Sequence, residues 1–98
     1  MYLKIHNTKE GVIVAACDKN LLGKSFEEGI KCIDLKTYRA FYEGELSTPL
    51  NLKQALKLFS SANLVGKNVI KAAIEANVIK DEDVKYIEKV PYVQVYNI

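Results

Sequence analysis

Thr48-Pro49-Leu50-Asn51-Leu52-Lys53-Gln54-Ala55-Leu56-Lys57-Leu58-Phe59, followed closely by Asn63-Leu64-Val65-Gly66-Lys67-Asn68-Val69-Ile70-Lys71-Ala72-Ala73-Ile74-Glu75-Ala76, decides how the rest of this chain must fold. A hydroxyl residue before proline marks a helix start. The side-chain oxygen accepts an otherwise orphaned backbone N–H, and proline lacks its own N–H where no helical bond would form. Asn51, with Gln54 three residues on, is a second capping start. Leu52, Ala55, Leu56 and Phe59 then recur at helical spacing, which buries one face. In the second segment Val65, Val69, Ala72, Ala73 and Ala76 share a side, with Ile70 and Ile74 beside them, so the spacing predicts a well-covered helix from about Asn63 to Ala76. Gly66 leaves room there for another backbone, and Asn77 suits the left-handed position after the last turn. Two such helices need an apolar surface to cover.

The flanking sequence supplies that surface as strands. Leu3 and Ile5 alternate with Lys4 and His6, Asn7 to Gly11 is polar, and Val12 to Cys17 is rich in β-branched residues, which together read as a hairpin. Asp18 is placed to cap a short turn that Gly23 ends, and Ser25 to Gly29 reads as a second turn. Ile30, Cys32, Ile33 and Leu35 suggest a third strand, whereas Thr37 to Leu46 shows neither period and reads as an irregular aromatic connection. Val84–Glu88 and Val90–Tyr96 close the chain as two strands, with Pro91 confining one to an edge or a strand start. The fold class that follows is α+β: a mixed or antiparallel sheet of about five strands, in the order β-β-β-α-α-β-β, packed against a helical hairpin in a single domain, residues 1–98.

Composition narrows the function classes. The chain has 98 residues, 49% hydrophobic and 27% charged, with two Pro and five Gly, which is ordinary globular usage. Its longest apolar run, Val12 to Cys17, is far short of the roughly 20 residues of a membrane helix. The first residues alternate like a strand and do not resemble a signal peptide, so a cytoplasmic location is expected. Cys17 and Cys32 lie in strand-like apolar segments and are expected to behave as small buried hydrophobes, a disulfide being unfavoured. Two separated Cys and one His offer no zinc-site spacing, so neither a metal nor another cofactor is expected.

Catalytic motifs fail individually. Leu22-Gly23-Lys24-Ser25 resembles the end of a phosphate-binding loop, but that loop needs glycine where Asp18 stands. Glu43 and Glu45 beside Tyr42 are the nearest thing to an acid/base pair, and their spacing reads as a solvated acidic loop. His6 has no Ser, Cys or Asp in any motif with it. An enzyme built on Asp18, Tyr42 and Glu45 requires all three to meet in one pocket. No catalytic residue is assigned.

Charge distribution gives the strongest physical signal. Net charge is only +2, but no acidic residue lies between Leu46 and Ile74, where Lys53, Lys57, Lys67 and Lys71 fall. Each pair is four residues apart and shares a helix face, an arrangement that costs a few tenths of a kcal/mol in isolation and that a phosphate backbone offsets. With Asn63 and Asn68 as polar partners, these lysines make RNA or a ribonucleoprotein the leading expected partner. Tyr2, Lys4 and His6 with Tyr92, Gln94 and Tyr96 form a second, aromatic and basic patch if the terminal strands are neighbours. The rival expectation is a protein-interaction module docking through a sheet edge or the aromatic segment Tyr38–Tyr42.

Four stretches together resemble a known family: Val12 to Asp18 with Leu21-Leu22-Gly23-Lys24, then Phe41-Tyr42-Glu43-Gly44-Glu45, then Ala62-Asn63-Leu64-Val65-Gly66, then Val90-Pro91-Tyr92-Val93-Gln94. They are similar, in order and over nearly the whole chain, to the small archaeal domain-of-unknown-function family number 424. The resemblance implies a compact archaeal protein with no assigned activity, substrate or cofactor, and a translation setting. It matches the family's recurring residues at Asp18, Gly23, Tyr42, Gly44, Glu45, Asn63, Gly66, Pro91 and Gln94. Tyr92 stands where members usually carry His, and Val93 where they carry Ala, so imidazole chemistry at that position is closed to this chain.

Overall fold

The computed structural model describes residues 1–97. The chain opens with two strands, β1 (Tyr2–Thr8) and β2 (Gly11–Cys17), joined as the antiparallel hairpin that their alternation predicts. After β2 comes a single 3₁₀ turn, Lys19–Leu21, then a small hairpin of β3 (Ser25–Glu28) and β4 (Lys31–Asp34). One helical turn, α1 (Arg39–Tyr42), leads to the two-residue β5 (Glu45–Leu46) and to α2 (Pro49–Ala55). The chain closes with β6 (Ser61–Val65), α3 (Lys67–Glu75), a 3₁₀ turn at Asp81–Asp83, β7 (Lys85–Ile87) and β8 (Val90–Tyr96). Six strands form one sheet in the order β5-β1-β2-β6-β8-β7, and β3-β4 stands apart. Only β2 and β6 run parallel, so the sheet is mixed and the fold α+β.

Register explains how two layers share one sheet. Leu3, Ala16, Leu64 and Val93 lie opposite one another across four strands, and with Val14 and Ala62 they face α2 and α3. Leu52, Leu56 and Phe59 descend from α2 and its end, and Val69, Ile70, Ala72 and Ala73 from α3, into this core. Truncating the fully buried Leu52 or Leu64 to Ala is a loss of about 2–5 kcal/mol. The alternate residues face the other way. There Cys17 and Val65 pack with Leu21 and Leu35 under the β3-β4 hairpin, a second and smaller core.

Several local expectations hold and several do not. Thr48 Oγ1 accepts the Asn51 N–H at 3.2 Å with Pro49 at the first helical position, and Asn77 is left-handed at φ 60°. The second helix, however, begins at Lys67 and not at Asn63. Ser61–Val65 is a strand, because the short apolar run Ala62-Asn63-Leu64-Val65 finds partners on both β2 and β8, and pairing overrides a helical spacing that such a run cannot exclude. α2 ends at Ala55, which places Lys57 beyond the helix. Ser25 to Gly29, read as a turn, is mostly β3, and the third strand pairs with it outside the main sheet. The segment read as irregular holds α1 and β5. Cys32 is exposed, not buried, because β4 covers the small core with Ile33 and turns its neighbours outward.

Asp18 caps a helix, though not the adjacent turn. Its two carboxylate oxygens accept the N–H groups of Asn68 and Val69, each at 3.0 Å, at the start of α3. The carboxylate is only 5% exposed, a costly burial that these bonds and the positive end of the helix offset. Gly66 makes the approach possible: it sits at φ +109°, and any β-carbon there would run into the Asp18 carboxyl group. Its N–H donates to Pro91 O at 2.8 Å, and the Asp18 N–H to Val65 O at 3.0 Å, so β2, β6, β8 and α3 meet at one junction. Gly66→Ala is expected to destabilise by about 2–4 kcal/mol and Asp18→Ala by about 1–2 kcal/mol. Both should appear in urea unfolding as a lower midpoint at unchanged slope.

Candidate functional site

The lysines distribute over the helical layer. Lys53 Nζ lies 3.0 Å from Glu75 Oε1, which ties α2 to α3, and this ammonium with Lys71 nearby holds the Glu75 carboxyl below its usual range. Lys57, Lys67 and Lys71 are exposed and make no ion pair among the described residues. Asn68 is exposed at the start of α3, beside Lys67. A groove along α3, floored by Ile70, Ile74, Tyr86 and Pro91, has Lys67 and Lys71 on its margin together with Glu75 and Asp81. Asn63 is not part of this surface; it belongs to β6 and faces the other side of the sheet.

That other side carries the larger cleft. Lys4, Ala15, Asn63 and Gln94 are in register across β1, β2, β6 and β8, with Tyr2, Cys17, Val65, Tyr92 and Lys85 in the row beside them. The terminal strands β1 and β8 are thus on one face but separated by β2 and β6, so the aromatic and basic residues expected to cluster are split between its two margins. At the β1 margin Lys4 Nζ donates to Ala40 O at 2.7 Å, and His6 Nε2 donates to Phe41 O at 2.9 Å. The His6 ring also stacks on Phe41, with centroids 4.6 Å apart. Both basic side chains are therefore spent on pinning α1 over the sheet edge. Gly44 then lies so close to Leu3 O that a β-carbon would displace β5 from β1.

Between α1 and the small hairpin remains a cleft of about 740 Å³. Asn63 and Gln94 line its floor, joined by a Gln94 Nε2 to Asn63 Oδ1 hydrogen bond of 2.9 Å. Tyr38, Phe41 and Tyr42 of the α1 region, Tyr92 of β8, and Cys32 and Asp34 of β4 are also among its lining. Burial, with a smaller contribution from Cys17, pushes the Tyr42 phenol up to about 12, so it remains a neutral hydrogen-bonding group. Asp34 Oδ1 accepts the N–H groups of Lys36 and Thr37, and the Thr37 bonds hold its carboxyl below the usual range. The wall formed by β4 is anchored by a reciprocal clasp. The Glu27 N–H donates to Glu88 Oε2 at 2.6 Å, and the Glu88 N–H donates to Glu28 Oε1 at 3.0 Å. Glu88 and Lys89 form the β7-β8 turn with φ of 49° and 67°, the conformation a two-residue hairpin turn requires.

The nine motif positions separate into groups. Asp18, Gly66 and Pro91 build the junction, Gly23 closes the turn after β2 at φ +87°, and Gly44 and Glu45 seat the edge strand. Tyr42, Asn63 and Gln94 meet in the cleft. Asp18 is beneath Gly66, Tyr42 is in the cleft and Glu45 is on β5, so these three do not form a common site. Glu43 is engaged by Arg39 through two contacts of 3.1 Å and does not pair with Glu45. What reading the residues alone missed are Asp34 and Cys32, whose approach to β6 and β8 carries no local signal, whereas Tyr38 belongs to the aromatic segment expected as a docking surface.

The two thiols differ sharply. Burial, with the Asp18 charge adding to it, pushes the Cys17 thiol up to about 11, while Cys32 is exposed at the cleft. Iodoacetamide at neutral pH is expected to add one group, at Cys32, to the native protein and two to the urea-unfolded protein, as read by intact mass.

No curated protein matches this chain significantly. A crystal structure described as an uncharacterized conserved protein from Methanopyrus kandleri superimposes with a TM-score of 0.81 at 23% identity, covering 97% of this chain and 89% of that one. The likeness supports the fold. The family model for "Protein of unknown function (DUF424)" matches residues 5–98, and the chain belongs to that family.

Proposed function

We propose that this protein is a non-catalytic accessory domain that binds RNA or a ribonucleoprotein in a translation setting, through the outer surface of α2 and α3. The observation that supports this reading is the exposure of Lys67 and Lys71 along one groove of α3, with Lys57 also exposed just past α2 and the Lys53–Glu75 bridge tying the two helices together. Three ammonium groups without ion-pair partners among the described residues are suited to phosphate oxygens, and Asn68 adds an amide beside Lys67. Glu75 and Asp81 line the same groove as Lys67 and Lys71. Each single-strand phosphate contact lowers the log–log dependence of affinity on salt by roughly 0.7, so three contacts give a slope of about −2.

The alternative, a protein-docking module, is favoured by one feature: Tyr38, at the head of the aromatic segment, is 64% exposed. An affinity pull-down with and without ribonuclease separates the readings, since a protein partner survives the nuclease. For the RNA reading, filter binding of total RNA at about 50 and 200 mM salt should show steep loss with salt. Lys57→Glu/Lys71→Glu should bind at least about tenfold more weakly at the lower salt. Equal retention of wild type and variant would remove the proposal.

A further inference from the structure

We infer that the cleft on the opposite face of the sheet is a second binding site, built to hold one unpaired nucleobase. The floor provides the reason. In the Asn63–Gln94 hydrogen bond one amide N–H and one amide oxygen are used, which leaves both N–H groups of Asn63, the second N–H of Gln94 and the oxygen of Gln94 without partners among the described residues. Turning both amides over leaves the same complement, a donor and an acceptor side by side. Adjacent donor and acceptor atoms are what the edge of a purine or pyrimidine presents, and paired amide groups are the side chains that match such an edge in two bonds.

The walls fit the same ligand. Tyr92 borders the amide pair on β8, and Tyr38 stands exposed above the cleft, so a planar ring entering edge-first finds aromatic surface to stack on. A cleft of about 740 Å³ accommodates a base with its ribose. Electrostatics give the orientation. The Asp34 carboxylate is engaged by two backbone N–H groups at the β4 side, so a phosphate is directed away from it. The base would lie on the amides, with its phosphate turned away from Asp34.

This site is on the far side of the sheet from the lysine layer and stands whether or not that layer binds RNA. The base has two sources, a strand or a free nucleotide, and the test separates them. The intact protein is titrated with adenosine and uridine monophosphates and with an unstructured hexanucleotide, reading both affinity and the alkylation rate of Cys32 at the cleft. Binding is expected to slow Cys32 alkylation several-fold. Gln94→Ala and Tyr92→Ala are each expected to weaken binding about tenfold, with Gln94→Glu as a check that the amide and not the fold is responsible. Lys57→Glu/Lys71→Glu should leave Cys32 protection unchanged. Protection by mononucleotide and hexamer alike indicates a free-nucleotide site, and protection by the hexamer alone a base on a strand. A hexamer that binds without protecting Cys32, or no protection by any of the three probes, would overturn the base site while leaving the lysine proposal to its own test.

Discussion

The buried carboxylate of Asp18 holds together elements that the chain brings in from far apart. Its backbone belongs to the end of β2, its side chain closes the first turn of α3, and it can lie there only because Gly66 has no β-carbon. The same Gly66 donates to Pro91, so β8 is aligned by the residue that admits the carboxylate. A buried charge without its partners costs far more than a mismatched apolar contact, and this makes the junction intolerant of partial assembly. Everything on either face of the sheet inherits its position from that point: α3 over one side, and the β6-β8 register with its amide pair on the other.

What could be seen in the sequence was local. The hairpin of β1 and β2, the strand Val90–Tyr96, the Thr48 cap and the left-handed Asn77 each depend on neighbours a few residues away, and each is found where its residues indicate. Asp18 was legible as a capping residue but not as to which helix it caps, because its acceptors serve N–H groups about fifty positions later. β6 was hidden because five residues with three apolar side chains satisfy either period; only β2 and β8 on its two sides decide the matter.

The candidate surfaces show the same division. Lysine spacing located the exposed cations of the helical layer, although the early end of α2 separates Lys57 from the helix that was to carry it. Asn63 and Gln94 were marked by the family pattern, yet that they touch follows from strand register alone. Lys4 and His6, which looked available in a list of polar residues, are consumed in holding α1. A basic side chain that serves the scaffold cannot also serve a ligand, and sequence does not distinguish the two employments.

Cys32 has one more consequence. With its only sulfur companion enclosed beneath the small hairpin, it has no partner within the same molecule. Under oxidising storage a disulfide between native protein thiols can form only from Cys32 to Cys32 of another molecule, and one link per molecule exhausts the supply. Association through disulfides between native molecules therefore stops at pairs.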